Sequence, residues 1–133
     1  MDCKIFASGV PAAYPQYYAY ELMASGSYLG MNSGGYMASA VSPAASGAGL
    51  AATAFYTQNQ DAILIVNPTG TSFTQMVSAL NTGYSQPTAN LYQVMNGQSI
   101  GRSTLALTPA GTAQNMTVTL PPYSVLGISI QGP

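Results

Sequence analysis

From Tyr36 to Gln131 the chain is punctuated: short segments rich in apolar and β-branched residues alternate with turn-forming residues at intervals of about eight to twelve positions. The segments run Tyr36 to Val41, Leu50 to Thr57, Ala62 to Asn67, Thr71 to Leu80, Ala89 to Met95, Ser103 to Leu107, Asn115 to Leu120 and Ser124 to Gln131. No second helix suggests itself, and this spacing is that of an all-β antiparallel sandwich of about eight strands. A different pattern precedes them. Tyr14, Tyr17, Tyr18, Glu21 and Leu22 recur at helical spacing, Pro15 suits a first turn, and Ser25-Gly26 supplies a stop, which predicts one short helix over 14–24. The expectation is one domain over 1–133, with the helix leading into a sandwich over 36–131.

The turns carry their own chemistry. Thr57 to Asp61 is short and polar between two apolar segments, so those segments form a hairpin, with Asp61 as a turn former. In Asn67-Pro68-Thr69-Gly70 the proline fixes φ and the glycine accepts positive φ, and Asn96-Gly97 reads as a further turn. Pro121 and Pro122 donate no backbone hydrogen bond, so the last strand begins after them. In Asn115 to Leu120, Met116, Val118 and Leu120 point inward and Thr117 and Thr119 outward. Thr71 to Leu80 is mixed on both sides. The small, flexible stretch Ser42 to Gly49 is a connection of ordinary length.

Charge bounds the chemistry. The whole chain of 133 residues holds two basic and three acidic side chains, Lys4, Arg102, Asp2, Glu21 and Asp61, with no histidine and no tryptophan. Histidine-assisted nucleophilic catalysis and a histidine zinc site lack their residues. A two-carboxylate glycosidase needs its acids about 5 to 9.5 Å apart, and the candidates here are a terminal residue, a helix residue and a turn residue. Two separated basic residues do not neutralise a run of phosphates, which excludes nucleic acid as a partner. No apolar run reaches the roughly 20 residues that span a bilayer as a helix. Cys3 stands alone and forms no internal disulfide. No cofactor is implied and no metal is expected; Asp61 with Asn59 or Gln60 is the sole seed of a weak calcium site. Met1 to Lys4 lacks the charged and apolar regions of a secretory leader, so the chain reads as an excised piece.

Three stretches carry a family resemblance. Ala62-Ile63-Leu64-Ile65-Val66-Asn67-Pro68, Ala89-Asn90-Leu91-Tyr92-Gln93-Val94 and Leu120-Pro121-Pro122-Tyr123-Ser124-Val125, in that order, resemble the C-terminal β-sandwich of bacterial glycoside hydrolases with a (β/α)8 catalytic barrel. The resemblance covers roughly residues 14 to 131. It implies an accessory domain of a secreted, extracellular polysaccharide-degrading enzyme, partnered by a (β/α)8 catalytic domain. The catalytic acid and nucleophile of such enzymes lie on barrel strands, so none is carried over to this chain.

Ten tyrosines dominate what remains. A tyrosine ring offers an apolar platform to a sugar face while its hydroxyl stays hydrogen-bonded, and amides supply directional bonds without charge. The expected function is therefore non-catalytic binding of a neutral polysaccharide such as β-glucan. The candidate site is Tyr56, Tyr92, Gln58, Asn59, Gln93 and Asn96. By alternation Tyr56 faces away from Phe55, and Tyr92 away from Leu91 and Gln93. The helix tyrosines pack the helix against its neighbours, and Tyr123 beside two prolines is a corner-packing residue. The alternative is a structural sandwich that buttresses the barrel and binds no sugar.

Overall fold

The computed structural model describes residues 3–5, 11–13, 15–25, 28–30, 37–39, 49–56, 60–80, 88–95, 100–110 and 113–131. Among them are one helix, α1 (Pro15–Ala24), and eleven strands: β1 (Cys3–Ile5), β2 (Pro11–Ala13), β3 (Met37–Ser39), β4 (Ala51–Tyr56), β5 (Gln60–Asn67), β6 (Phe73–Leu80), β7 (Thr88–Met95), β8 (Gly101–Ala106), β9 (Thr108–Ala110), β10 (Ala113–Leu120) and β11 (Ser124–Gln131). The all-β sandwich with one short helix is as expected; β1, β2 and β9, each of three residues, raise the strand count above eight. All pairings are antiparallel. The strands form a six-stranded sheet in the order β3-β4-β5-β11-β7-β8, a three-stranded sheet β6-β10-β9, and the separate pair β1-β2. The turn at Asn96-Gly97 and most of Ser42 to Gly49 lie outside the described residues. No helix among the described residues is long and apolar enough to cross a membrane.

The central strands of the six-stranded sheet are packed on both faces, which is why β5 and β11 read as nearly continuous apolar runs. Its inner face, with Ile65, Leu126, Ile128 and Ile130, packs on Met116, Val118 and Leu120 of β10. Alternation sends Thr117 and Thr119 outward, as the sequence predicts. In β6, Phe73, Val77 and Ala79 turn inward while Met76 stands 67% exposed on the open side. On the outer face Ala62, Leu64, Tyr92 and Val94 meet Leu22 of α1 and Leu29 beyond it. Gly127 makes that docking possible: a Cβ there would lie 3.0 Å from Leu22 Cδ1 and 3.2 Å from Leu29 Cδ1. The helix ends at Ala24, and Leu29 N–H donates to Leu22 C=O at 3.1 Å, which satisfies a terminal carbonyl and seats both leucines.

Two crossovers between the layers run side by side and are tied by one residue. Asn67 pairs with Ser124 in the large sheet, and Leu120 pairs with Phe73 in the small one. Asn67, 1% exposed, donates from Nδ2 to Thr71 O (2.8 Å), Pro121 O (2.8 Å) and Leu120 O (3.2 Å). Its Oδ1 accepts from Thr69 Oγ1 (2.7 Å) and Thr69 N (3.1 Å). Ser124 Oγ donates to Pro121 O at 2.7 Å, and Tyr123 N to Thr69 O at 3.0 Å. Tyr123 takes a left-handed φ of 51°, and its hydroxyl lies 3.2 Å from where a Gly70 Cβ would be. It lies against Gly70 but is 64% exposed and belongs to neither core cluster, so it is less a packing residue than the sequence suggests.

Candidate functional site

Those adjoining crossovers stack β6 over β5 and β10 over β11, and Leu107 alone separates β9 from β8, so the small sheet spreads towards β7 and β8. A three-stranded layer does not cover a six-stranded one. At about 4.8 Å per strand the two differ in width by about 14 Å among the described strands. Leu50 and Ala52 still join the inner core near the crossovers, whereas Ala54 and Tyr56, on the same face of β4, belong to neither packed cluster among the described residues. Ala54 and Tyr56, at the turn end of the β4-β5 hairpin, thus fall outside the core that the described residues form.

Tyr56 and Asp61 stand opposite each other there, as direct partners in the β4-β5 ladder. The side chains of such a pair rise from Cβ atoms about 5 Å apart on one face. Tyr56 is 39% exposed. Asp61 is half-buried, next to the fully buried Ile130 in register on β11. Loss of water around it pushes its carboxyl above the ordinary aspartate range.

The sheet separates the sequence-predicted residues. Tyr92 lies on the outer face, 8% exposed, where its ring meets Tyr28 edge-on with centroids 5.3 Å apart. Gln93 is half-buried on the inner face, opposite Leu126. Tyr56 is on the inner face two strands from β7, so Tyr56 and Tyr92 do not share a platform. Gln58, Asn59 and Asn96 lie outside the described residues; Gln58 and Asn59 follow Tyr56 directly in the chain. The carboxylates are separated too. Glu21 belongs to α1 over the outer face and Asp61 to the inner face, with the six-stranded sheet between them. No group of three metal-ligating side chains occurs among the described residues.

A second cluster escaped the sequence reading. Arg102 pairs with Tyr92 across β7 and β8, and its guanidinium sits 4.7 Å from the Tyr28 ring centroid and 6.0 Å from that of Tyr92. Tyr28 arrives from the segment after α1, a contact that no local pattern announces. Its geometry is that of a cation held on aromatic rings, an arrangement that stabilises by about 0.5–1 kcal/mol at an exposed site.

The fold defines a class first: an antiparallel β-sandwich with one helix docked on its larger sheet. Among solved structures, the chain is similar to the catalytic domain of the glycoside hydrolase family 30 xylanase C from Talaromyces cellulolyticus, with a TM-score of 0.61 and 18% identity over 96% of this chain and 26% of that one. It is equally similar to a family 30 endoxylanase from Clostridium papyrosolvens, with a TM-score of 0.61 and 16% identity over 94% of this chain and 29% of that one. The likeness is one of fold, and the chain spans less than a third of the length of these xylanases. No family model and no curated protein matches the sequence.

Proposed function

We propose that this chain is a non-catalytic β-sandwich domain of a secreted polysaccharide-degrading enzyme, folding as one unit and contacting neutral glycan through the Tyr56 end of its larger sheet. Its partners in this reading are a neutral polysaccharide such as β-glucan or xylan, and a (β/α)8 catalytic domain in the same enzyme. The observation that carries the reading is the exposed Tyr56 ring at the end of β4, followed in the chain by Gln58 and Asn59. The likeness in fold to part of two xylanases supports the enzymatic context, as do the motifs shared with glycoside hydrolase sandwiches. Tyr92 and Gln93 then act as supports rather than contacts: Tyr92 packs under Tyr28, and Gln93 faces the space between the sheets.

In mechanism such a domain is a concentration device. It holds an attached catalytic domain near polymer and raises its effective concentration without new chemistry, provided the linkage lets both engage together. Asp61 on β5 is the one charged side chain placed on this face among the described residues, and a face with no basic group among them suits a neutral partner better than an anionic one. Native affinity electrophoresis through gels containing soluble β-glucan, xylan or mannan tests the reading. Retardation by at least one polymer, abolished in Tyr56→Ala, is the expected result. Unaltered mobility in all three would remove the binding function and leave the buttressing role, in which the half-exposed Tyr20 on α1 meets the barrel.

A further inference from the structure

Asp61 is a half-buried carboxylate with no hydrogen bond or ion pair among the described residues, standing beside an exposed ring. The sequence suggests a turn former here, but Asp61 is a ladder residue of β5, so turn formation does not account for it. A partly desolvated carboxylate that no protein donor contacts is stabilised by a donor that displaces its water, and charge-assisted bonds of this kind are about twice as strong as neutral ones. The donor's chemistry is limited by the surroundings. Arg102 lies on the outer face of β8, so no basic residue faces Asp61 among the described side chains. Ala54 gives the floor little relief, Ile63 and Ile130 make it apolar, and the ladder places Tyr56 directly across.

From this juxtaposition we infer that Asp61 is the polar anchor of the glycan site: its carboxylate accepts two hydroxyl hydrogens from a vicinal diol of a neutral pyranose whose apolar face lies on the Tyr56 ring. The assignment rests on the reading above and deepens it. Two adjacent equatorial hydroxyls match the two oxygens of a carboxylate, which gives the site a preference that a ring alone lacks. β6 is an edge strand of the small sheet among the described residues, and the backbone groups of such an edge can accept from or donate to further hydroxyls along the same chain. An extended polypeptide strand added to β6 is the competing occupant. The exposed Met76 at the middle of that strand gives it a separate handle.

Isothermal titration with xylohexaose and cellohexaose, on the wild-type chain and on Asp61→Asn, Asp61→Ala and Tyr56→Ala, tests the assignment. Asp61→Asn keeps the shape and one acceptor and is expected to weaken binding about tenfold, with a larger loss in Asp61→Ala. Far-ultraviolet circular dichroism should be unchanged, since the two substitutions remove a charge that burial disfavours. Binding lost in Tyr56→Ala but unaltered in both Asp61 variants would overturn the role of Asp61 and leave the glycan function standing. Absence of binding by the wild type would overturn both. Oligomers that form without sugar and dissolve in Met76→Lys, in a chain that binds neither oligosaccharide, would assign the open edge to a polypeptide strand instead.

Discussion

Replacing Asn67 by alanine tests whether the corner that joins the two layers holds the fold together. The side chain is buried and makes five hydrogen-bond contacts, three as donor and two as acceptor. Not all of its partners are orphaned by its removal. Pro121 O keeps Ser124 Oγ at 2.7 Å, and Thr71 O keeps Thr69 Oγ1 at 3.3 Å. The penalty therefore concentrates on the buried Leu120 O and on Thr69 N, each costing about 1–2 kcal/mol when left without its partner, with about 1 kcal/mol more for the remaining bonds. A loss of about 3–5 kcal/mol is expected, a large part of the roughly 5–15 kcal/mol that a domain possesses. Urea unfolding should show it as a midpoint lowered by about 2 M at an unchanged slope. Asn67→Asp sharpens the test: at neutral pH a carboxylate can accept from Thr69 but faces three carbonyl oxygens with no hydrogen to give, so it should be no more stable than Asn67→Ala. Asn115→Ala, which removes an exposed pair with Ser78 Oγ, is the control and should cost less than about 0.5 kcal/mol. A loss below about 1 kcal/mol in Asn67→Ala would refute the reasoning.

Three further outcomes follow from the packing and the charges. Gly127→Leu drives a side chain into the seat of Leu22 and Leu29 and should cost about 1–3 kcal/mol by overpacking; adding Leu22→Ala, itself worth about 2–5 kcal/mol in loss, should recover stability relative to the sum of the two, as read in a double-mutant cycle. Arg102→Met removes the cation from the Tyr28 and Tyr92 rings and should lower stability by no more than about 1 kcal/mol, with its thermal melt less sensitive to salt. Because burial raises the Asp61 carboxyl above its unfolded value of 3.8, the folded state holds its proton more tightly. This contribution is fully present below the unfolded value and is lost as pH rises through the folded one. Stability should thus fall on going from acid towards neutral pH in this window, and Asp61→Asn should flatten the profile and be more stable than wild type at neutral pH.

The parts of the fold that the sequence announces are those fixed by local chemistry. Met116, Val118 and Leu120 alternate with threonines, so the inner face of β10 is legible, and Pro15 and Ser25 bracket the helix closely. The motifs around Asn67 and Pro121 to Ser124 are conspicuous as sequence because they interlock in space: the asparagine of one satisfies the carbonyls of the other. They mark a structural corner rather than a ligand site. Other features depend on residues distant in the chain. β1, β2 and β9 are too short for a periodicity to show. Gly127 reads as a weak point within a strand until Leu22 and Leu29 are seen to fill the space it leaves. Alternation places Tyr56 and Tyr92 relative to their own neighbours, but whether they share a face depends on β5 and β11 lying between β4 and β7, which is a matter of strand order.

The most direct test is a nitrogen-15 chemical-shift titration of the intact chain with xylohexaose. The account predicts saturable shifts confined to the amides of Ala54, Tyr56, Asp61 and the neighbouring end of β6, with α1 and the Asn67 corner unmoved. Shifts centred on Tyr28, Tyr92 and Arg102, or none anywhere at millimolar sugar, would contradict it.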